Sequence, residues 1–316
     1  SIHFTTKGDY GLALLDASTG EFLVVEGDKA SIEKMVDNYA PAEIIFSRAW
    51  QNDYTKVFGD RYYYYGLEEW VYMPDYTREK LLDKFEVTNL KGFGVEEMPL
   101  AQVAAGAALH YLNTTQNNKI GHITRITRIQ SDHFVWLDRF TINNLELIRS
   151  GHDTGSTLMS IMDKTVTPMG ARLLRHWILQ PLLSIERINS RLDMVEYFVD
   201  KYFDLENLSN LLKKVGDVER IASKLAIEKI TPRELMQLKN SLELLPDIQF
   251  ILNQSEQKPL VSLSEKMQLC TQLKEDIAHG LVDDPPVLLT KGNVIRQGYN
   301  AELDELRHII RNGKEL

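Results

Sequence analysis

The stretch that decides the fold runs from residue 141 to residue 199, TINNLELIRSGHDTGSTLMSIMDKTVTPMGARLLRHWILQPLLSIERINSRLDMVEYFV. Thr167-Pro168 predicts the start of a helix, because threonine caps helix N-termini and proline fits the first helical position. An apolar stripe at helical spacing follows, and Gln180-Pro181 predicts the end of that helix. Ser184 predicts the start of a second helix, whose apolar residues again have a 3.6-residue period. Because the stretch lacks metal ligands, a catalytic nucleophile and a phosphate loop, we interpret it as helical scaffold.

Residues 1–109 alternate strand and helix signals. The runs at 10–16 and 21–26 are apolar and joined by a Ser-Thr-Gly turn, which predicts a β-hairpin. A helix is predicted at 29–39. Further predicted elements are short strands at 43–46 and 62–65 and helices at 77–85 and 96–116. Strands separated by helices indicate an α/β layer.

The remainder of the chain is predicted to be mainly helical. Residues 119–139 have alternating patterns, which favour extended connections or a small sheet, and helix signals dominate from Thr157 onward. Thr231-Pro-Arg-Glu234 predicts a capping box at a helix start. We also expect one helix over 258–281, followed by a break and a short extended stretch at 287–289. The predicted domains are therefore an α/β domain at 1–109 and a helical domain at 110–316.

Composition excludes several classes of protein. The formal net charge is −9, and residues 1–109 contain 10 Lys and Arg against 18 Asp and Glu. An acidic first third is a poor binder of phosphate backbones and favours a protein partner. The single cysteine, Cys270, excludes an intramolecular disulfide and a cysteine-based zinc site. No apolar run is long enough for a membrane span, and we expect a cytoplasmic protein.

Four segments, in the same order, resemble the MutS family of DNA mismatch-repair proteins. The first is YGLALLDASTGE at 10–21, which is similar to the opening of the connector domain. The second combines NLE at 144–146, STL at 156–158 and TVTPMG at 165–170. The third is GDVER at 216–220 with TPREL at 231–235, and the fourth is GYNAELDELR at 298–307. Together they extend over nearly the whole chain.

The resemblance implies an RNase H-like connector domain followed by most of the helical core, or lever, domain. It also implies a piece of a longer protein, cut before the clamp and ATPase domains. The parent would bind mismatched double-stranded DNA as a homodimer, use ATP and Mg²⁺, and dock a MutL-like protein through the connector. No G-x-x-x-x-G-K-[ST] motif occurs in the sequence. We therefore expect no ATP hydrolysis by this chain, and no catalytic, cofactor-binding or metal-binding residues within it.

Two alternatives to this interpretation remain open. An RNase H-like fold suits a two-metal nuclease, for which Asp16 at a strand end would be the candidate, with Asp9, Glu21 and Glu43 nearby in sequence. We favour the interpretation that these are turn and surface acids. The second alternative is a stand-alone protein-interaction module.

Several other motifs have a structural interpretation that we prefer. Gly92-Phe-Gly94 is interpreted as a loop before the 96–116 helix. Glu96 and Glu97 would stabilise the N-terminus of that helix through their negative charge. The aromatic run at 62–65 beside Trp70 is interpreted as core plus a protein-contact surface rather than a base-stacking platform. Asp217, Glu219 and Arg220 are expected to form a helix start with local pairing. The scattered histidines are expected to have no zinc role: His110, His122, His133 and His152. Four arginines are expected to form salt bridges on helix surfaces: Arg172, Arg175, Arg187 and Arg191.

Overall fold

The computed structural model describes residues 1–115, 120–129, 134–135, 137–152 and 155–312. These divide into two compact units. The first consists of Ser1–Thr165, Met169–Ile185 and Ala222–Glu228, and the second of Val166–Pro168, Glu186–Ile221 and Lys229–Leu316. Of the sequence predictions, His133 and part of the 119–139 segment lie outside the described residues.

The first unit contains a six-stranded mixed sheet in the described part of the chain. The strands are β1 (Ile2–His3), β2 (Asp9–Leu15), β3 (Phe22–Asp28), β4 (Glu43–Ser47), β5 (Tyr63–Leu67) and β6 (Thr127–Arg128). Their order is β5-β4-β1-β2-β3-β6. Strands β1, β2 and β3 pair antiparallel, whereas β4 is parallel to β1 and to β5, and β6 is parallel to β3. Three antiparallel strands followed by two parallel ones confirm the predicted RNase H-like layer.

The predicted hairpin is formed by β2 and β3, with Leu15 opposite Phe22. Its turn is closed by Asp16, whose carboxylate accepts hydrogen bonds from the backbone N–H and the hydroxyl of Ser18, each at 2.7 Å. This is an Asx turn, in which a short acidic side chain imitates the backbone of a tight turn.

Four helices accompany the sheet: α1 (Lys29–Tyr39), α2 (Gln51–Phe58), α3 (Pro74–Phe85) and α4 (Pro99–Thr115). Helix α1 begins where Asp28 accepts a hydrogen bond from the Ser31 N–H at 2.9 Å. Successive sheet residues point to opposite faces. Accordingly, Ala13 joins a core under α4, whereas Leu12 joins a second core with residues of α1 and α2. The sheet is therefore covered on both faces.

Helix α4 approaches its neighbours unusually closely, as its small residues predict. A Cβ at Gly106 would lie 2.5 Å from the backbone oxygen of Thr77 in α3. At its first turn the Ala101 N–H donates to the Glu26 carboxylate of β3 at 2.9 Å. The helix begins at Pro99, so the expectation that Glu96 sits on its N-terminus is wrong. The Glu96 carboxylate instead accepts from the Leu90 N–H at 2.7 Å and pairs with Arg78 at 2.5 Å.

The hydrogen bonds at Glu96 give a pH-dependent prediction. The Leu90 N–H and then Arg78 lower the pKa of Glu96 from its ordinary value of 4.5. A depressed carboxyl pKa stabilises the fold above the unfolded pKa, and that stabilisation is lost as pH falls through the folded pKa. The Tm difference between wild type and Glu96→Gln should thus be largest near pH 7 and shrink below about pH 4.5.

Thermal unfolding at pH 7, 5, 4 and 3 measures this difference. Glu97→Gln is the matched control, because the neighbouring Glu97 carboxylate is exposed and has no hydrogen bond or ion pair in the described residues. A Glu96→Gln difference that stayed constant from pH 7 to pH 3 would contradict the assignment.

The rest of the described chain is mainly helical, as predicted. The stretch quoted first begins α7 at Pro168, ends it at Leu179 and begins α8 at Ile185, each where its signals predict. The Thr231 capping box is also confirmed, with reciprocal bonds between Thr231 and Glu234. The helices are α5 (Arg139–Asn144), α6 (Leu158–Met162), α7 (Pro168–Leu179), α8 (Ile185–Asp200), α9 (Tyr202–Leu212), α10 (Val218–Ala226), α11 (Pro232–Glu243), α12 (Leu245–Gln254), α13 (Lys258–Glu265), α14 (Thr271–Gly280) and α15 (Ala301–Asn312).

Two sequence predictions in this region are wrong. Residues 258–281 form two helices, α13 and α14, rather than one, because the chain leaves the helix after Glu265 and enters α14 through Cys270, which has a left-handed conformation with φ 46°. The same cysteine is exposed. Residues 287–289 do not form a continuous extended stretch, since Leu288 has an extended backbone but Leu289 already begins a short 3₁₀ helix at Leu289–Lys291.

The second unit has two apolar clusters of its own. One joins α11 and α14 through Leu238, Leu242 and Ile277. The other joins α12 and α13 through Ile248, Leu252 and Leu260. The apolar stripe of α8 is instead largely exposed, at Ile185, Leu192, Val195 and Val199.

Candidate functional site

Strand β5 forms one end of the sheet and presents a row of aromatic side chains. It pairs with β4 on one side only, so its other edge has backbone N–H and C=O groups without a partner strand in the described residues. Tyr63 is 86% exposed and Tyr65 is 50% exposed. Trp70, in the turn after the strand, is 51% exposed. We call Tyr63, Tyr65 and Trp70 the aromatic edge.

The aromatic edge is held from behind by packed rings. The centroid of the Trp70 ring lies 5.0 Å from that of Tyr76 and 5.2 Å from that of His110, and the rings meet edge-on in both pairs. The Tyr76 hydroxyl and His110 Nδ1 are joined by a 2.7 Å hydrogen bond. Burial lowers the pKa of His110, and nearby Lys80 lowers it further. Both effects favour the neutral imidazole, whose ring packs against Trp70.

The tyrosine run divides between core and surface, as its preferred interpretation predicts. Tyr62 packs against the core under α1 and α2 and donates a hydrogen bond to Asp37 at 2.7 Å. Tyr64 lies beside Tyr54, with ring centroids 4.8 Å apart. Only Tyr63 and Tyr65 extend from β5 as largely exposed rings on one face, where they resemble anchors for a protein contact more than a base-stacking groove.

Asp16, the candidate for nuclease chemistry, has a structural role. Burial opposes its ionisation, but the hydrogen bonds from Ser18 and Thr19 outweigh burial and lower its pKa. Glu43 is engaged elsewhere, since it accepts the Tyr111 hydroxyl at 2.9 Å. In the described part of the chain, no three His, Cys, Asp or Glu side chains group closely enough to hold a metal ion. The geometry of Asp16 is that of a turn acid.

The described histidines lie in separate surroundings. His110 is bound to Tyr76, and His122 Nε2 lies 3.0 Å from the Ala17 carbonyl oxygen. His152 lies in the bend after α5. The ring partners of His110 and His122 are those of structural histidines. Whether the chain is free of catalytic, cofactor and metal residues stays a prediction.

Asp217 and Arg220 form the local pair predicted from the sequence, whereas Arg175 does not form its predicted salt bridge in the described residues. Asp217 and Arg220 pair locally at the start of α10, as predicted, with Arg220 Nε 3.7 Å from the Asp217 carboxylate. Arg175 differs from its salt-bridge prediction, because no ion pair joins it to an acid in the described part of the chain and the positive charge of Arg149 acts on it. Sequence reasoning missed this arginine pair, since residues 149 and 175 converge only in the tertiary fold.

Comparisons with known proteins cover the whole chain. Residues 1–124 match the family model for MutS domain II, and residues 140–315 match the model for MutS domain III. The chain belongs to the MutS family. It contains MutS domain II followed by domain III, so the family predicted from the sequence motifs is confirmed. The predicted boundary after residue 109 stays a prediction.

Named relatives support the same family. The chain is similar to the DNA mismatch repair protein MutS of Cytophaga hutchinsonii, with 45% identity over 100% of the chain and 37% of that protein. It is 44% identical to the MutS protein of Phocaeicola vulgatus and 43% identical to that of Flavobacterium psychrophilum, in each case over 36% of the relative. The chain therefore spans little more than a third of the length of these relatives.

No helix among the described residues combines the length and the apolar character needed to cross a bilayer.

Proposed function

We propose that this chain is the connector and core part of a cytoplasmic DNA mismatch-repair protein. The observation that carries the proposal is that the chain matches MutS domain II and then MutS domain III. Its similar relatives are named DNA mismatch repair protein MutS. In the proposal, the parent binds mismatched double-stranded DNA as a homodimer and uses ATP and Mg²⁺. The chain links those activities without catalysis, in keeping with its lack of a phosphate-binding loop motif.

The connector is also proposed to dock a MutL-like protein, and the aromatic edge is the surface that fits this role best. An exposed edge strand can pair with an extended segment of a partner, which supplies affinity through main-chain hydrogen bonds. Exposed Tyr and Trp are the side chains most enriched among residues that dominate binding energy. The acidic balance of residues 1–109 favours a protein partner over nucleic acid.

Capture of the cognate MutL-like protein by the full 316-residue chain tests this docking. We expect binding by the wild type and at least about 30-fold weaker binding by Tyr63→Ser/Trp70→Ser, because hot-spot aromatics each contribute roughly 2 kcal/mol or more. The matched control is Tyr202→Ser/Phe203→Ser in the second unit, whose side chains are 64% and 79% exposed.

The outcomes separate the two parts of the proposal. No capture by the wild type at low salt would contradict docking by this chain, and capture unaffected by the Tyr63/Trp70 change would place the docking surface elsewhere. The nuclease alternative would be revived only by metal-dependent cleavage that Asp16→Ala abolishes. The turn geometry of Asp16 favours the structural interpretation.

A further inference from the structure

A pocket of about 290 Å³ in the first unit lies beside the end of α1. Residues of α1, of the segment that leads into β5, of α5 and of α7 line it together. Its polar lining residues include Asp37, Asn38, Arg61, Asn143, Arg149 and Arg175. Three arginines against one carboxylate make this lining basic, although the surrounding α/β domain is acidic.

One of the three arginines is already neutralised. Arg61 Nη1 lies 3.1 Å from Asp37, and its Nη2 lies 3.0 Å from Glu33. The Tyr62 hydroxyl donates to the same Asp37 carboxylate at 2.7 Å. This network satisfies the acid in the pocket, so Asp37 is not free to neutralise the other two arginines.

Arg149 and Arg175 have no such counter-charge. Within the described residues, neither makes a salt bridge or a side-chain hydrogen bond. Burial lowers the pKa of the Arg175 guanidinium, and the positive charge of Arg149 lowers it further. Two like charges that converge on one pocket repel each other. An anion bound between them would be attracted to both and would offset this repulsion.

A third feature of the pocket is an unpaired buried amide. Asn38 is 4% exposed, and its Oδ1 accepts no hydrogen bond in the described structure. A buried acceptor without a donor is costly, because it has lost its hydrogen bonds to water. An oxyanion that also carries an O–H group would supply both an acceptor for the arginines and a donor for this side of the pocket.

We propose that this pocket binds a phosphate group, with Arg149 and Arg175 as its two cationic contacts. Guanidinium groups present forked N–H donors that match phosphate oxygens, and such charge-assisted hydrogen bonds are the strong ones. Inorganic phosphate retains an O–H near neutral pH, and a monoester, whose second pKa is about 6, retains one in part just above pH 6, which suits Asn38. A cavity of 290 Å³ suits a small phosphate-bearing molecule. The pocket shares Tyr63 with the aromatic edge, but its two cationic contacts lie outside that edge, and phosphate binding goes beyond the proposed function.

Isothermal titration of the full chain in phosphate-free buffer at pH 6.5 tests the site. The probes are inorganic phosphate, AMP as a phosphate monoester, and sulfate, which carries no proton at this pH. We expect phosphate or AMP to bind, and sulfate to bind more weakly. Tighter binding of AMP than of phosphate would identify a monoester as the source, and the reverse would identify free phosphate; either order supports the site.

Variants locate the site on the two arginines. Arg149→Ala and Arg175→Ala should each weaken binding at least about 10-fold, since a hydrogen bond to a charged group contributes roughly 1.5–3 kcal/mol. Arg125→Ala is the matched control, because Arg125 is exposed, lies in the same unit and is outside the pocket. Phosphate should raise the Tm of the wild type and of Arg125→Ala but not that of the pocket variants.

Folding is checked in the same experiment without ligand. Because Arg149 and Arg175 repel each other, removing either one should leave the Tm in phosphate-free buffer unchanged or higher. Absence of binding by both phosphate and AMP at about 10 mM would overturn the proposal, as would equal weakening by Arg125→Ala. Binding that is detected at 10 mM ligand corresponds to a Kd in the millimolar range or tighter.

Discussion

Replacing Gly11 by alanine should destabilise the first unit by about 3 kcal/mol or more. Gly11 lies in β2, directly beneath the first turn of α4. A Cβ there would overlap the Leu100 carbonyl group and lie 2.7 Å from the backbone nitrogen of Ala101. Backbone atoms cannot rotate away as side chains do, so the helix itself would have to move. That movement would also disturb the Glu26 carboxylate that accepts from the Ala101 N–H.

Urea unfolding with hydrogen exchange at β2 and α4 measures the loss for Gly11→Ala. Gly92→Ala is the matched control, because a Cβ at Gly92 would meet no heavy atom within 4 Å. We expect the control to change stability by less than about 0.5 kcal/mol. Equal effects of the two substitutions would show that the contact between β2 and α4 is looser than described.

Phe46→Ala should have a comparable effect, with a loss of about 3–5 kcal/mol. Phe46 in β4 is 0% exposed. Its ring stacks on Tyr54 of α2 with centroids 4.4 Å apart and meets Phe4 edge-on at 6.2 Å. Truncation would leave a cavity between the sheet and α2 that backbone elements on both sides keep from collapsing. Contacts between these aromatic rings would be lost as well.

The same urea transition measures Phe46→Ala, with two variants for comparison. Phe46→Leu retains most of the buried volume and should cost roughly 1–2 kcal/mol. Tyr63→Ala, on the neighbouring strand, removes a ring that is 86% exposed and should change stability little. A small loss for Phe46→Ala would mean that the core between the sheet and α2 can repack.

Local signals explain which elements could be predicted from the sequence. The Thr231–Glu234 capping box, the proline at the start of α7 and the Ser18-Thr19-Gly20 turn each act within a few residues, and the structure contains all three. The two-residue strands β1 and β6 are too short to show a periodic pattern, and β6 pairs with β3, which lies far away in the sequence. The break between α13 and α14, at residues 266–270, has neither glycine nor proline to indicate it.

The candidate sites depend even more on distant residues. The aromatic run at 62–65 could be singled out from the sequence, but which rings are exposed follows from the position of β5 at the sheet end. The bond from Ala101 to Glu26 joins residues 75 positions apart. Arg149 and Arg175 meet only because α7 and the segment after α5 line the same pocket. The spacing of residues along the chain does not indicate contacts between residues so far apart in sequence.

The left-handed residue that separates α13 from α14 has a practical consequence for spectroscopy. Cys270 is the single cysteine of the sequence, and its side chain is exposed. A maleimide dye or nitroxide spin label should therefore attach at one defined position of the second unit, with no competing thiol to remove. Because Cys270 immediately precedes the first residue of α14, the probe's tumbling would report how firmly that helix is anchored.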